Sequence, residues 1–181
     1  MPDPIQFDAL DALATGAVGD PGQRAFYLQA RNEAAQLTVL VEKQQIAMFA
    51  TEVVAFLDRI ADEYPEDGVV LPPSTAELRE PTVPLFRARL IGLGFDPDRE
   101  LVLIELREHA EDDDPDDEVG LDDEVGLDGD ESGHVARIYA TRPQVRAVAA
   151  RGAQVVASGR PTCDLCELPM DPAGHRCPRW N

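Results

Sequence analysis

The sequence predicts an α+β fold in which two β-β-β-α pseudo-repeats form an antiparallel sheet or barrel with two helices, followed by a small cysteine-bearing ribbon or knuckle. Three observations in the 181 residues predict it. Stretches of sequence recur, at offsets of 76 and then 99 residues. Each copy ends in an apolar pattern of helical period. All three cysteines fall within residues 163–177.

The first recurrence lays Asp20–Arg31 over Asp96–Arg107, 76 residues later. Both stretches open on an Asp-Pro turn, where proline presets φ and aspartate caps the turn, and both continue as an apolar, strand-like run ending in arginine. The second recurrence lays Glu42–Ile46 over Thr141–Val145, 99 residues later. Beyond it, Ile46, Phe49, Ala50, Val53, Phe56 and Leu57 fall on Val145, Val148, Ala149, Gly152, Val155 and Val156, which is the spacing of an amphipathic helix. Thr141 and Gln144 have the spacing of a capping box at the start of the second helix. The offset grows between the two matches across an acidic run, so an insertion into the second copy accounts for both facts.

The expected elements follow in order. The first repeat, residues 1–62, has strands near 6–17, 24–31 and 36–42 and a helix near 44–62. Residues 63–84, with prolines at 65, 72, 73, 81 and 84, read as a linker over the surface. The second repeat, residues 85–158, has strands near 85–94, 100–107 and 134–140 and a helix near 142–157. Short connections favour antiparallel meanders within each repeat, and a cleft between the repeats is the default ligand site.

Charge is unevenly distributed. The chain carries 35 acidic and 16 basic residues, a formal −19, yet residues 108–133 alone hold 14 acids and no base. That stretch contains the hexad DDEVGL in tandem, at Asp116–Leu121 and Asp122–Leu127. It self-repels and lacks the apolar groups that would offset ordering entropy, so it reads as a disordered, solubilising insertion. His109 and His134 flank it and read as exposed side chains. The acidic total argues against a protein that grips phosphate backbones with its whole surface. No apolar run approaches a membrane span and the start MPDPIQFDALD lacks a signal-peptide pattern, so a soluble, cytoplasmic protein is expected.

Residues 159–181 form the tail. Cys163-x2-Cys166, then His175-x-Cys177, offer three thiolates and an imidazole, the usual ligands of structural zinc. A Cys-x2-Cys turn points two sulfurs at one ion, and the Pro-, Asp- and Gly-rich stretch 169–174 can fold back to deliver the other two ligands. Four protein ligands leave no open position, so the expectation is one structural Zn2+. A redox Cys-x2-Cys normally opens a helix, whereas this one follows a helix and Gly-Arg-Pro. A disulfide framework fits poorly with an odd cysteine count. Only four residues follow Cys177, so no helix is expected to close the site, and the tail must dock on the body or on a partner. Arg160, Arg176, Arg179 and Trp180 surround it as a basic, aromatic edge. Such an edge suits a protein interface or stacked bases; the net negative charge favours the protein partner over nucleic acid.

Gly159-Arg160-Pro161, Cys163-x2-Cys166, Pro169-Met170-Asp171-Pro172, Gly174-His175 and Cys177-Pro178-Arg179, together with Phe26–Arg31 and Glu42–Gln45, give the chain a family likeness. It resembles an uncharacterised actinobacterial family known only as a domain of unknown function, sometimes labelled a repeat protein. That family usually continues with Gly-Tyr after the tail motif, whereas this sequence stops at Asn181, and the acidic stretch is longer than typical. The resemblance implies an intracellular, zinc-tailed protein and no particular reaction.

No phosphate-binding Gly-x4-Gly-Lys loop, dinucleotide Gly-x-Gly-x2-Gly turn, Gly-x-Ser-x-Gly elbow or His-Glu-x2-His helix is present. Lys43, the single lysine, stands where a strand feeds a helix N-terminus, with Arg142 at the equivalent position of the second copy. The two form a candidate anion site if the copies face each other; the plainer alternative is a solvated helix start. The sequence therefore points to a non-enzymatic binding or adaptor module. Nucleic-acid binding through the tail, or an enzyme with an unrecognised site between the repeats, are the alternatives.

Overall fold

A computed structural model describes residues 4–66, 76–108, 133–171 and 174–180. Most of the acidic stretch, and with it His109, lies outside the described residues. The elements are β1 (Ile5–Phe7), β2 (Ala12–Val18), β3 (Ala25–Arg31), β4 (Gln36–Val41), α1 (Lys43–Glu63), β5 (Phe86–Asp96), β6 (Leu101–Glu108), β7 (Val135–Ala140) and α2 (Arg142–Ala157). Strict alternation makes β6 and β7 one-sided: Val102, Ile104 and Leu106, and across from them Ala136, Ile138 and Ala140, are buried. Ile46, Phe49, Val53 and Leu57 form the buried stripe of α1, and Val145, Val148, Gly152 and Val155 line that of α2. These residues make one core with Leu28, Val39, Phe7 and Phe86.

The strands form one seven-stranded sheet in the order β1-β7-β6-β5-β4-β3-β2. Its two halves repeat each other in register. Phe26 pairs with Val41 as Val102 pairs with Ala140, and Phe7 pairs with Ile138 as Phe86 pairs with Val39. Within each half the strands are antiparallel as expected, but the halves join through two parallel pairs, β1 with β7 and β4 with β5. The sheet is therefore mixed, not antiparallel. The reason is α1: a helix after β4 carries the chain back to the end at which β4 began, so the next strand beside it runs parallel.

The single strand expected near 6–17 is two, β1 and β2, at opposite edges of the sheet. Residues 8–11 alone join them, a reach of at most about 18 Å, whereas seven strands laid flat would set the edges about 29 Å apart. The sheet must curl. Its counterpart in the second half is continuous β5, which changes partner across a bulge between Ala88 and Leu90.

α1 and α2 pack on each other and on the sheet, α1 against β3 and β5, α2 against β2 and β6. They run antiparallel: the start of α2 meets the end of α1 through Arg142 Nη1–H donating to Tyr64 O at 2.6 Å. At their crossing a Cβ on Gly152 would lie 2.9 Å from Ile46 Cγ2, so only glycine permits this approach.

The edge and far face of β2 are covered too. Ala76 bridges to Ala14 along the edge, and Leu78 rests on Gly16 on the far face. The fully buried Gln29 donates to Arg79 O at 3.0 Å and accepts from Arg79 N–H at 2.9 Å. The segment before β5 thus lies over β2 and the middle of β3, which explains why β2 is buried on both faces from Leu13 to Gly16.

Candidate metal centre

The tail leaves α2 through Ser158 and folds on itself with sheet-like bonds. Met170 N–H donates to Pro161 O, Cys163 N–H to Leu168 O, and Thr162 bridges to Pro169. Inside this short ribbon Glu167 N–H closes back on Cys163 O at 2.8 Å, and Glu167 takes φ +62°, which turns the chain sharply. The turn sets Cys163 and Cys166 side by side. Gly174, at φ +119°, makes the second turn, and it returns His175 and Cys177 to the first pair.

The ligand atoms of Cys163, Cys166, His175 and Cys177 all lie within 4.8 Å of one another. Cys163 Sγ and Cys177 Sγ are 3.8 Å apart, and Cys166 Sγ and His175 Nε2 are 3.1 Å apart. A tetrahedral ion with bonds of about 2.3 Å to sulfur sets its sulfurs about 3.8 Å apart. The donor set and its span therefore fit one metal ion held by three sulfurs and a nitrogen. Local fields prepare the first ligand: the backbone N–H groups of Cys166 and Leu165 hold the Cys163 thiol down at about 6, so it is a thiolate at neutral pH. Desolvation pushes Cys166 up, and hydrogen bonds with the Cys163 and Cys177 sulfurs add to this, Cys163 also because like charges crowd together. A cation removes that crowding.

Of the basic and aromatic residues expected at the edge, two make bonds that hold the tail. Arg160 bonds Asp171 at 2.7 Å and lies on the turn before β3, where a Cβ on Gly22 would come 3.2 Å from its Nε. It helps seat the tail on the body. Arg179 Nη1–H donates to Leu165 O at 2.9 Å, tying the chain end to the Cys-x2-Cys turn. Arg176, Arg179 and Trp180 are exposed, Trp180 at 79%. Leu165 and Leu168, about half exposed, share this surface and were not singled out by sequence; they sit in the turn beside the ligands, where an apolar residue carries no periodic signal.

The structure does not bring Lys43 and Arg142 together. The helices are antiparallel, so their N-termini lie at opposite ends of the pair. Lys43 is exposed beside Gly159, whereas Arg142 is buried, bonded to Tyr64 O and laid over the Phe95 ring at 4.9 Å. Arg142 serves the fold. His134 is likewise engaged: its Nδ1 is 2.6 Å from Glu108 Oε2 and its ring stacks on Phe86.

The sequence profile of a family described as a protein of unknown function, DUF3090, matches residues 5–177. The chain belongs to the DUF3090 family. The match takes in both halves of the body and all four residues of the Cys/His cluster. No curated protein and no solved structure matches this DUF3090 chain. No helix among the described residues of the DUF3090 protein is long and apolar enough to cross a membrane.

Proposed function

We propose that this DUF3090 protein is a non-enzymatic binding module that presents a zinc-folded tail to a protein partner in the cytoplasm. Three thiolates and one imidazole are the donor set that favours zinc in a closed tetrahedral site, and such thiolates persist as ligands in a reducing compartment. A closed site supplies structure and no open position for a substrate. The observation that carries the reading is Trp180, 79% exposed at the edge of the ligand cluster, with Leu165 and Leu168 beside the same cluster. Exposed tryptophan rimmed by arginine, here Arg176 and Arg179, is the composition of an interface anchor. The same edge could stack on bases, but the overall charge of −19 disfavours a polyanion as partner.

Metal analysis of the purified chain should find about one zinc per molecule, lost in Cys163→Ser. In a pull-down from cell extract, Trp180→Ala should retain its zinc yet lose the partner that the parent chain captures. A partner held equally by Trp180→Ala overturns the assignment of this surface, and capture of nucleic acid that weakens steeply with salt would favour the second reading.

A further inference from the structure

Where the tail meets the body there is a cleft of about 350 Å³, a size suited to a small molecule. The β2–β3 turn and β3 contribute Gly22, Arg24 and Phe26; α1 contributes Lys43; the tail contributes Arg160 and Thr162. We propose that this cleft binds a small soluble phosphomonoester, its phosphate held between Arg24, Lys43 and Arg160.

Charge is the first argument. Three cations line the cleft and no acidic residue does, in a chain whose formal charge is −19. Each cation is steadied without being neutralised, except one. Arg24 donates to the hydroxyl of Ser158 at 3.2 Å. Lys43 stands beside Gly159, just past the C-terminal end of α2, where the helix dipole favours a cation. Arg160 alone meets a carboxylate, that of Asp171. A phosphate dianion relieves the repulsion among these groups, and its several acceptor oxygens match guanidinium and ammonium donors better than a carboxylate does. Thr162 adds a hydroxyl donor, and the nearly buried Phe26 gives an apolar wall for the ester group.

Asymmetry between the halves is the second. The position equivalent to Lys43 is Arg142, which folds inward to Tyr64 and Phe95, and the position equivalent to Arg24 is Glu100. The second half therefore turns its cation inward and carries an acid at the position where the first half has Arg24. Because Arg160 and Thr162 immediately precede Cys163, one wall of the cleft rests on the metal-folded tail proposed above.

Isothermal titration of the full metal-loaded chain at low salt, with inorganic phosphate and with glycerol phosphate, tests the site; cobalt-thiolate absorbance is read on parallel cobalt-substituted samples. Both probes should bind, and Lys43→Gln and Arg24→Gln should each weaken them by about tenfold or more while Arg151→Gln does not. No binding by a chain with an intact cobalt-thiolate spectrum overturns the phosphate site and leaves the metal reading standing, as does binding indifferent to both cleft substitutions. Binding that depends on Lys43 and Arg24 in a chain with no thiolate band supports the cleft and overturns the metal reading instead.

Discussion

Gln29 carries more of the fold than its type suggests. It is fully buried in β3, its amide N–H groups reach Thr38 Oγ1 at 3.1 Å and Arg79 O, and its carbonyl oxygen takes Arg79 N–H. The side chain thus imitates a strand for the segment that covers the sheet. Gln29→Met keeps the volume but leaves the Arg79 backbone groups without partners, so it should destabilise by about 1–3 kcal/mol in urea unfolding and speed tryptic cleavage after Arg79. An unchanged midpoint would contradict that role. Nothing local marks Gln29 in the sequence: one polar residue in an apolar run gains meaning only from a partner fifty residues away. The Cys/His cluster is the opposite case. That Cys163, Cys166, His175 and Cys177 converge was legible from spacing alone, because a short chain with two tight turns has few other ways to arrange them.

The two helix starts show the same contrast one level up. Glu42 N–H donates to Gln45 Oε1 at 2.7 Å and Thr141 N–H to Gln144 Oε1 at 2.9 Å, as helix-capping side chains do. Each glutamine also donates outward, Gln45 to Ala88 O and Arg89 O at the β5 bulge, Gln144 to Leu10 O in the β1–β2 crossing. Each helix is thereby pinned to the place where the other half's strand changes partner. Gln45→Ala and Gln144→Ala should each cost about 1–2 kcal/mol, and because the sites lie at opposite ends of the helix pair the double variant should be additive within about 0.5 kcal/mol. Denaturation of the three variants checks this; strong coupling would mean the two halves do not respond independently. Recurrence of the segments was visible in the sequence, and so was the capping box at Thr141. The outward bonds were not, since they depend on which strand end the antiparallel helices bring near.

For the molecule as a whole, the tail's dependence on pH follows from Cys163. Its folded value of about 6 lies below the 9.0 of an ordinary cysteine, so the thiolate's contribution to tail folding is complete above about 9, declines as pH falls, and is gone once pH has dropped through about 6. In metal-free protein the thiolate absorbance should rise in a first step near 6 that Cys163→Ser removes. Three thiols titrating together in the ordinary range would refute the pre-organised turn. Bound metal competes with protons for the same sulfurs, so acid releases it at lower pH still. Glu105 reinforces the body in the same direction: its bond to Arg137 holds its carboxyl below the usual range, and that contribution fades in acid.

The chain's periodicities and spacings by themselves determined most of the strands, the two helices and the Cys/His set that the tail brings together, because each is a short-range pattern imposed by backbone geometry or by tight turns. Tertiary structure alone decided that the sheet is mixed and curled, that Arg142 is buried while Lys43 stays open, and that Arg24, Lys43 and Arg160 share one cleft. Those outcomes depend on how a helical crossover and a four-residue connection bring distant strand ends together, and no local pattern encodes such distances.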